Sequence, residues 1–513
     1  MKFFLLELVF LFLLGALTSA SLPPFNFFLI NFFTFSILFI FLFKKKKNYY
    51  SKKLFFSYGW AFGFGYFLTN LYWITISLTF DQNFSFLIPI ALVLIPTFLA
   101  LFYGVVTTTY GLINLKSLIS NFFLFSLLFG LVEFIRGNIL TGFPWNLIIF
   151  SFSEKLNFIS FISVIGTYAL NLFVISLFLT PSLLILRKSK KEIFLSLFFI
   201  LVPILLIFYG SSYKEKFLSA EIKDNPYLIR AIGSNISLDR FYDNTSAEIV
   251  INELVILSKP EKNKKIFFLW PEGIIPNAYL DELNLYRDIF AKNFDDNHVI
   301  GLGIKNRLKK NGSTKYFNSL AVFDNNLNLI KNYNKMNLVP FGEFIPLESF
   351  FRKFDLRIIT NNISSFSEGA SREIIEIGNE FQRFSFLPLI CYEIIFTGNL
   401  TRNHNYDFIL NISEDGWFGK SIGPRQHFAH SIFRAIENGK YIVRSSNNGI
   451  TAIINPLGEI VEKIDYEEEG FIDFKERRDI EKTVFSMYGN KIFVILILLY
   501  IFLIFSFNRI NNE

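Results

Sequence analysis

Residues 193–210, IFLSLFFILVPILLIFYG, run without a charge, whereas residues 212–232, SYKEKFLSAEIKDNPYLIRAI, mix Lys, Glu, Asp and Asn with short apolar pieces. An uninterrupted apolar segment of about 20 residues is long enough to cross the hydrocarbon core of a bilayer as a helix. The segment after it is too polar for lipid. The junction therefore splits the chain into a membrane part and a water-facing part.

Working outward, seven apolar stretches precede the junction: 3–20, 25–43, 54–79, 84–113, 121–139, 157–186 and 193–210. An eighth covers 491–507. The expected organisation is helices 1–7 within 1–211, a catalytic-sized domain over 212–490, helix 8 at 491–507 and a cytoplasmic tail at 508–513. Composition agrees. Of 513 residues, 52% are hydrophobic and only 18% charged, below the roughly 25% usual in soluble domains.

The net charge of +7 does not point to nucleic acid. Its clusters, Lys44 to Lys47 with Lys52 and Lys53, and Arg187 to Lys191, sit beside apolar runs. Lysine-rich loops in that position set topology, because positively charged loops stay on the cytoplasmic side. Counting from them, seven helices that start inside end outside, so 212–490 is expected outside the cytoplasm. The Lys2 to Ala20 segment is read as a retained helix, although Thr18-Ser19-Ala20 would also suit a signal-peptide cleavage site.

Within 212–490, strand-like runs at 228–232, 266–270, 299–302, 320–323, 384–390, 408–412 and 441–444 alternate with helical spacing at 245–258 and 425–438. Asn448-Gly449, Ile450–Ile454 and Pro456-Leu457-Gly458 read as turn, strand and turn. The pattern is α/β.

Three residues stand at the ends of such strands. Glu272 follows Ile266–Trp270 and suits a general base. Lys335, in Tyr333-Asn334-Lys335, leads into the loop Leu338-Val339-Pro340-Phe341-Gly342-Glu343 and can stabilise an oxyanion. Cys391, the sole cysteine, ends Leu387-Pro388-Leu389-Ile390 and is followed by Tyr392 and Glu393. Each has an ordinary reading alone: a turn glutamate, a surface lysine, a buried small hydrophobe. A thiol with a pKa of about 8.5 is mostly protonated at neutral pH and needs a base or cation to act. Together the three form a base, a cation and a nucleophile for acyl transfer.

With Trp270-Pro271-Glu272, Lys335, Val339–Glu343, Cys391-Tyr392-Glu393, Asp415, Trp417-Phe418-Gly419, Gly423-Pro424, Gln426-His427, Arg434-Ala435, Glu437 and Asn447-Asn448-Gly449, the sequence closely resembles the apolipoprotein N-acyltransferase family. Glu133, Arg136-Gly137 and Thr141–Trp145 match in the membrane part. The resemblance implies eight transmembrane helices carrying a nitrilase-like (carbon–nitrogen hydrolase) α-β-β-α sandwich. It implies a Glu272–Lys335–Cys391 triad working by a ping-pong reaction. The sn-1 acyl chain of a phospholipid would pass through a Cys391 thioester to the α-amino group of a diacylglyceryl-cysteine apolipoprotein. Glu343, Tyr392 and Glu393 fall on supporting positions, and the apolar residues around Glu343 are expected to form a lid toward lipid. A bacterial inner-membrane location, a periplasmic catalytic domain and a monomer follow from the same likeness, with no cofactor.

The chain departs from the family where Gly233-Ser234 precede Asn235, where Tyr242 stands near an expected tryptophan, and where Glu414 replaces the usual asparagine. Glu133 and Arg136, three apart on a helix, read as a structural pair. His427 and His430 share a helix face but lack the companions of a zinc motif, so no metal is expected. A membrane-tethered amidase using the same triad is the alternative function. A transporter with an inert outer domain is a weaker one.

Overall fold

The protein is described by a computed structural model covering residues 2–48, 50–243, 245–310, 312–346, 365–380, 382–398, 400–401 and 403–510. Its first part is a helical bundle: α1 (Lys2–Ser19), α2 (Ile30–Asn48), α3 (Lys52–Leu71), α4 (Ile88–Leu112), α5 (Leu118–Asn138), α6 (Ile162–Phe178) and α7 (Lys190–Ser219). Glycines let the helices approach. A Cβ on Gly15 of α1 would lie 1.9 Å from the Phe62 carbonyl oxygen of α3, and one on Gly65 would lie 2.0 Å from that of Phe12. Such small-residue contacts replace the hydrophobic drive that helices lack in lipid.

Helices occupy all eight expected stretches, but several differ in form. The stretch 54–79 is helical in α3 only to Leu71 and then tightens into a 3₁₀ segment, Tyr72–Thr79. The stretch 157–186 is broken at Gly166, which takes φ 81° where Phe485 packs against it, and continues after Leu179 as Thr180–Leu186, with Pro181 in its first turn. α7 begins with Ser189 and Glu192 capping each other, and reaches Ser219, well past its apolar run. Among the described residues, five helices are long and apolar enough to cross a membrane: Gln82–Leu112, Leu118–Asn138, Ile162–Leu186, Lys190–Ser219 and Lys491–Arg509. Phe3–Ser19 is apolar but shorter. α2 carries the lysine run in its last turns.

The second part holds two six-stranded sheets. One has the order β12-β1-β2-β3-β4-β5, the other β11-β10-β9-β8-β7-β6. The first comprises β1 (Ile222–Gly233), β2 (Ile266–Leu269), β3 (His298–Lys310), β4 (Ser313–Asp324), β5 (Leu329–Asn334) and β12 (Gly470–Arg478). The second comprises β6 (Ile375–Gly378), β7 (Arg383–Ile390), β8 (Phe408–Glu414), β9 (Tyr441–Asn447), β10 (Thr451–Ile454) and β11 (Ile460–Ile464). Each has a parallel centre, β1-β2-β3 or β7-β8-β9, flanked by antiparallel strands.

The central strands are apolar on both faces because both faces are covered. Phe267 and Leu269 point between the sheets to meet Phe386, Phe408 and Leu410. Ile266, Phe268 and Trp270 point the other way, onto α8 (Ala247–Ser258). The second sheet is covered by α9 (Gly423–Asn438), and the bundle covers α9 in turn. This is the α-β-β-α sandwich, with one outer helix layer pressed between sheet and membrane helices. The chain then returns to the bundle through α10 (Lys491–Ile510), held by Ser176 Oγ and Tyr500 OH at 2.7 Å and by Ser120 Oγ donating to the Ile504 carbonyl at 2.9 Å.

Candidate active site

Glu272, Lys335 and Cys391, 119 residues apart from first to last, come together at the ends of β2, β5 and β7. Lys335 lies one residue beyond β5, and its Nζ donates to Glu272 Oε1 at 3.2 Å and to Glu343 Oε1 at 3.0 Å. Burial alone would lower the ammonium pKa, but the two carboxylates outweigh it and raise it well above the ordinary lysine range. Lys335 therefore stays charged. Glu272 also accepts from Asn318 Nδ2 at 2.7 Å and from the Glu414 N–H at 2.9 Å. Asn318 bridges to Glu343 Oε1 at 2.8 Å, and the Val339 N–H reaches Glu343 Oε2 at 2.8 Å.

Cys391 follows β7 and begins a single 3₁₀ turn, Cys391–Ile395. Its φ of 48° lies in the left-handed region, costly for a residue with a Cβ and common where a functional side chain must be aimed. The residue is 8% exposed. Burial and the Glu272 charge push its thiol well above the ordinary range, while Lys335 pulls the other way. The resting thiol is neutral, with Ser413 facing it.

Glu393 organises the site from behind. One of its oxygens accepts from Tyr333 OH at 2.6 Å, Arg372 Nη2 at 2.7 Å, the Met336 N–H at 2.9 Å and the Asn337 N–H at 3.2 Å. The other takes the Ile390 N–H at 2.8 Å. Burial favours the neutral acid, and Arg372 with these donors overrides it, holding the carboxyl below its usual range. Glu393 thus ties the lysine loop to the turn that carries Cys391.

The bundle supports the same turn. Tyr392 OH donates to the Gly142 carbonyl of the α5–α6 loop at 2.8 Å. On α9, Gln426 Oε1 accepts from the indole N–H of Trp145 at 2.9 Å and of Trp73 at 3.2 Å. Next to it, His427 sets Nε2 3.3 Å from the Cys391 carbonyl oxygen and Nδ1 2.9 Å from Asp415 Oδ1. Burial pushes the imidazole pKa down, against the Asp415 charge. Arg444 Nη2 donates to Asp415 Oδ2 at 2.7 Å. Sequence reasoning weighed His427 as a metal ligand and missed its place behind Cys391. Among the described residues no group of His, Cys, Asp and Glu is arranged to hold a metal ion.

The six expected residues thus gather around the ends of β5 and β7, and Asn318, Tyr333, Arg372, Ser413 and His427 join them. Asn318, Tyr333, Arg372 and Ser413 carry no signal that single-sequence reading separates from ordinary core polar residues, and His427 stood out only within the Gln426-His427 match. The departure at Glu414 is absorbed locally. Its carboxylate meets Arg240 and accepts from Asn447 Nδ2 at 2.8 Å, while its backbone N–H serves Glu272 whatever the side chain is. Ser234 Oγ donates to Asn447 Oδ1 at 2.7 Å, and Tyr242 is about half exposed. Glu133 and Arg136 are buried within the bundle, 3.8 Å apart. Leu338 and Ile345 of the expected lid are buried, while Phe341 at its tip is exposed, with φ 62°.

Residues 14–180 match the apolipoprotein N-acyltransferase N-terminal domain, and residues 286–475 match carbon-nitrogen hydrolase. An apolipoprotein N-acyltransferase of Rhizobium leguminosarum bv. trifolii is 32% identical, over 90% of this chain and 88% of its own. One of Agrobacterium fabrum is 30% identical, over 97% and 96%. A solved CN-hydrolase superfamily protein from Xanthomonas campestris aligns with 49% of this chain and 90% of its own, at 15% identity and a TM-score of 0.33.

Proposed function

We propose that this chain, which belongs to the apolipoprotein N-acyltransferase family and so is a membrane-bound acyltransferase of lipoproteins, works by a ping-pong reaction through Cys391. The observation that carries the proposal is Lys335 held between Glu272 and Glu343 beside a buried, neutral thiol. A neutral thiol needs its proton removed during attack, and the pocket offers a carboxylate for it.

In the first half-reaction Glu272 takes the proton from Sγ as the sulfur attacks the sn-1 ester carbonyl of a phospholipid. Lys335 stabilises the tetrahedral oxyanion. On collapse the ester C–O bond breaks, Glu272 returns the proton to the departing oxygen, and lysophospholipid leaves. In the second half, the α-amino group of a diacylglyceryl-cysteine apolipoprotein attacks the thioester. Glu272 accepts a proton from the amine and delivers it to the sulfur as the C–S bond breaks. The products are the N-acylated lipoprotein and the free thiol. Glu343 and Asn318 hold Lys335 and Glu272 in register, and Glu393 and Tyr392 hold the nucleophile turn.

Eight membrane helices fit the eight apolar stretches, organised as residues 1–211, 212–490, 491–507 and 508–513. The lysine-rich loops lie at the bundle end away from the sheets, since α2 and α4 end there and α7 begins there while its far end leads into β1. By the positive-inside rule this arrangement supports a catalytic domain on the periplasmic side, and the family membership supports a bacterial inner membrane. The exposed Phe341 suits a lid that touches lipid. The enzyme is proposed to act as a monomer.

The test uses purified full-length protein in phospholipid labelled in the sn-1 chain. Hydroxylamine-sensitive label on Cys391, transferable to a diacylglyceryl peptide amine, is expected. Folded wild-type protein that acquires no label would overturn the mechanism, and ammonia released from a small amide would favour the amidase.

A further inference from the structure

At the end of the bundle away from the sheets lies one cavity, and a second begins just beyond it along the same pair of helices and reaches Phe161 and Ile165 at the start of α6. The first, about 240 Å³, is walled by Lys47 at the end of α2, Lys116 from the α4–α5 loop and Lys188 just before α7, with Phe43, Leu118 and Leu186. Its one carboxylate, Glu192, is engaged by the Ser189 N–H at 2.8 Å and the Ser189 hydroxyl at 2.6 Å. The neighbouring lysines are satisfied within the fold. Lys45 pairs with Glu7, and Lys46 Nζ donates to the Tyr110 carbonyl at 2.9 Å and to Asn121 Oδ1 at 3.1 Å. Among the described residues Lys47, Lys116 and Lys188 have no acidic partner, yet three different segments bring them to one cavity.

The second cavity, about 500 Å³, is lined almost wholly by apolar side chains, including Phe123, Phe173, Leu195, Phe199, Leu206 and Phe507. It shares α5 and α7 with the first. Leu118 and Phe123 are five residues apart on α5, and Glu192 and Leu195 are three apart on α7. At 1.5 Å per residue the two cavities are offset by about 5–8 Å along the axis. From Leu195 to Leu206 the cleft runs about 16 Å, close to half of the roughly 30 Å hydrocarbon core, the depth of one leaflet.

A basic cup followed by an apolar groove one leaflet deep has the polarity sequence of a phospholipid. We propose that these cavities hold one anionic phospholipid from the leaflet opposite the catalytic domain. Its phosphate lies among Lys47, Lys116 and Lys188, and one acyl chain fills the cleft between α5, α6, α7 and α10. A zwitterionic headgroup would bring its own ammonium against three lysines and is disfavoured. The bound lipid would tie α2, α5, α7 and α10 together far from Cys391, as a structural ligand separate from the acyl donor.

Native mass spectrometry of the delipidated full-length protein, with lipid added back, tests this. Phosphatidylglycerol should bind one per chain, at least tenfold more tightly than phosphatidylethanolamine. The combined Lys47→Ala, Lys116→Ala and Lys188→Ala variant, altered only at exposed positions, should lose that preference to within threefold. Val202→Phe, which fills the cleft, should weaken phosphatidylglycerol at least fivefold with the lysines intact. Unchanged preference in the triple variant, or unchanged binding in Val202→Phe, would overturn the proposal. So would competition by soluble glycerol phosphate at the concentration of the lipid, which would make the cup a free-anion site.

Discussion

The bundle and the catalytic pocket both bury a glutamate against a cation, and they use the pair differently. In the bundle, Glu133 lies 3.8 Å from Arg136 and is closed off by Tyr103 OH at 2.8 Å and Asn171 Nδ2 at 2.6 Å. Those partners come from α4 and α6, so the carboxylate pins three helices and faces no nucleophile. In the pocket, one lysine is shared by two glutamates and stands beside a thiol. Formally one negative charge there is unbalanced, and the proposed reaction uses it to take the Cys391 proton. What separates a structural ion pair from a candidate catalytic one is the stoichiometry of charge and the neighbour, since both are buried.

The largest test of that difference is Cys391→Ala, which should abolish thioester labelling and lower acyl transfer by roughly 10³-fold or more while leaving the fold intact. Lys335→Met comes next, with a loss of about 10²–10³-fold in kcat, the scale of removing one oxyanion donor. If Lys335→Met instead only lowered the melting temperature, the pocket would be a structural pair like that of the bundle. Glu133→Ala should do the reverse. Breaking a buried pair typically costs about 3–5 kcal/mol, seen as a lower melting temperature with turnover per folded molecule little changed.

Gln426→Ala joins the two regions. It strands the Trp73 and Trp145 indole N–H groups, a penalty of about 1–3 kcal/mol per buried group left unpaired. A few-fold loss of transfer should accompany the loss of stability, because the adjacent His427 backs the Cys391 carbonyl.

The smallest effect is in pH. His427 has a lowered pKa in the folded protein and so is neutral there, while the unfolded chain protonates near 6.5. Its contribution to stability is present above about pH 6.5 and is lost as pH falls below it, with a slope of up to about 1.4 kcal/mol per pH unit. Glu393, also lowered, adds a second loss below about pH 4.3 by the same sign. Thermal unfolding from about pH 8 to about pH 2 measures both, and His427→Gln should flatten the upper part.

The strands that could be read in the sequence and those that could not divide by position in the sheets. Every expected strand is found, from β1 to β4 and from β7 to β10. The four that escaped, β5, β6, β11 and β12, are the edges of the two sheets. Edge strands keep one side in water and carry charge against aggregation, as in Ile460-Val461-Glu462-Lys463-Ile464 and Glu476-Arg477-Arg478. They therefore lack the apolar run that marks a central strand. α9 was visible, but its pattern could not tell that both of its sides are covered.

The site divides in the same way. Glu272 and Cys391 were visible because each closes an apolar strand, and Lys335 because it leads into the apolar loop 338–343. Asn318 between the two carboxylates and Arg372 on Glu393 are single polar residues without local pattern, and nothing local in the Gln426-His427 pair places His427 behind Cys391. Only the crossing of two sheets and a helix brings them to Cys391.

By itself the sequence determined the apolar stretches that become helices, the inner strands of the sheets, and the places of Glu272 and Cys391 just beyond two of them. These are local properties, set by hydrophobic length and by side-chain alternation along a few residues. The tertiary structure alone decided which edges close the sheets, that the bundle buttresses the Cys391 turn through Gly142, Trp73 and Trp145, and that Lys47, Lys116 and Lys188 meet at one cavity. Those facts depend on contacts between residues far apart in the chain, which no local periodicity encodes.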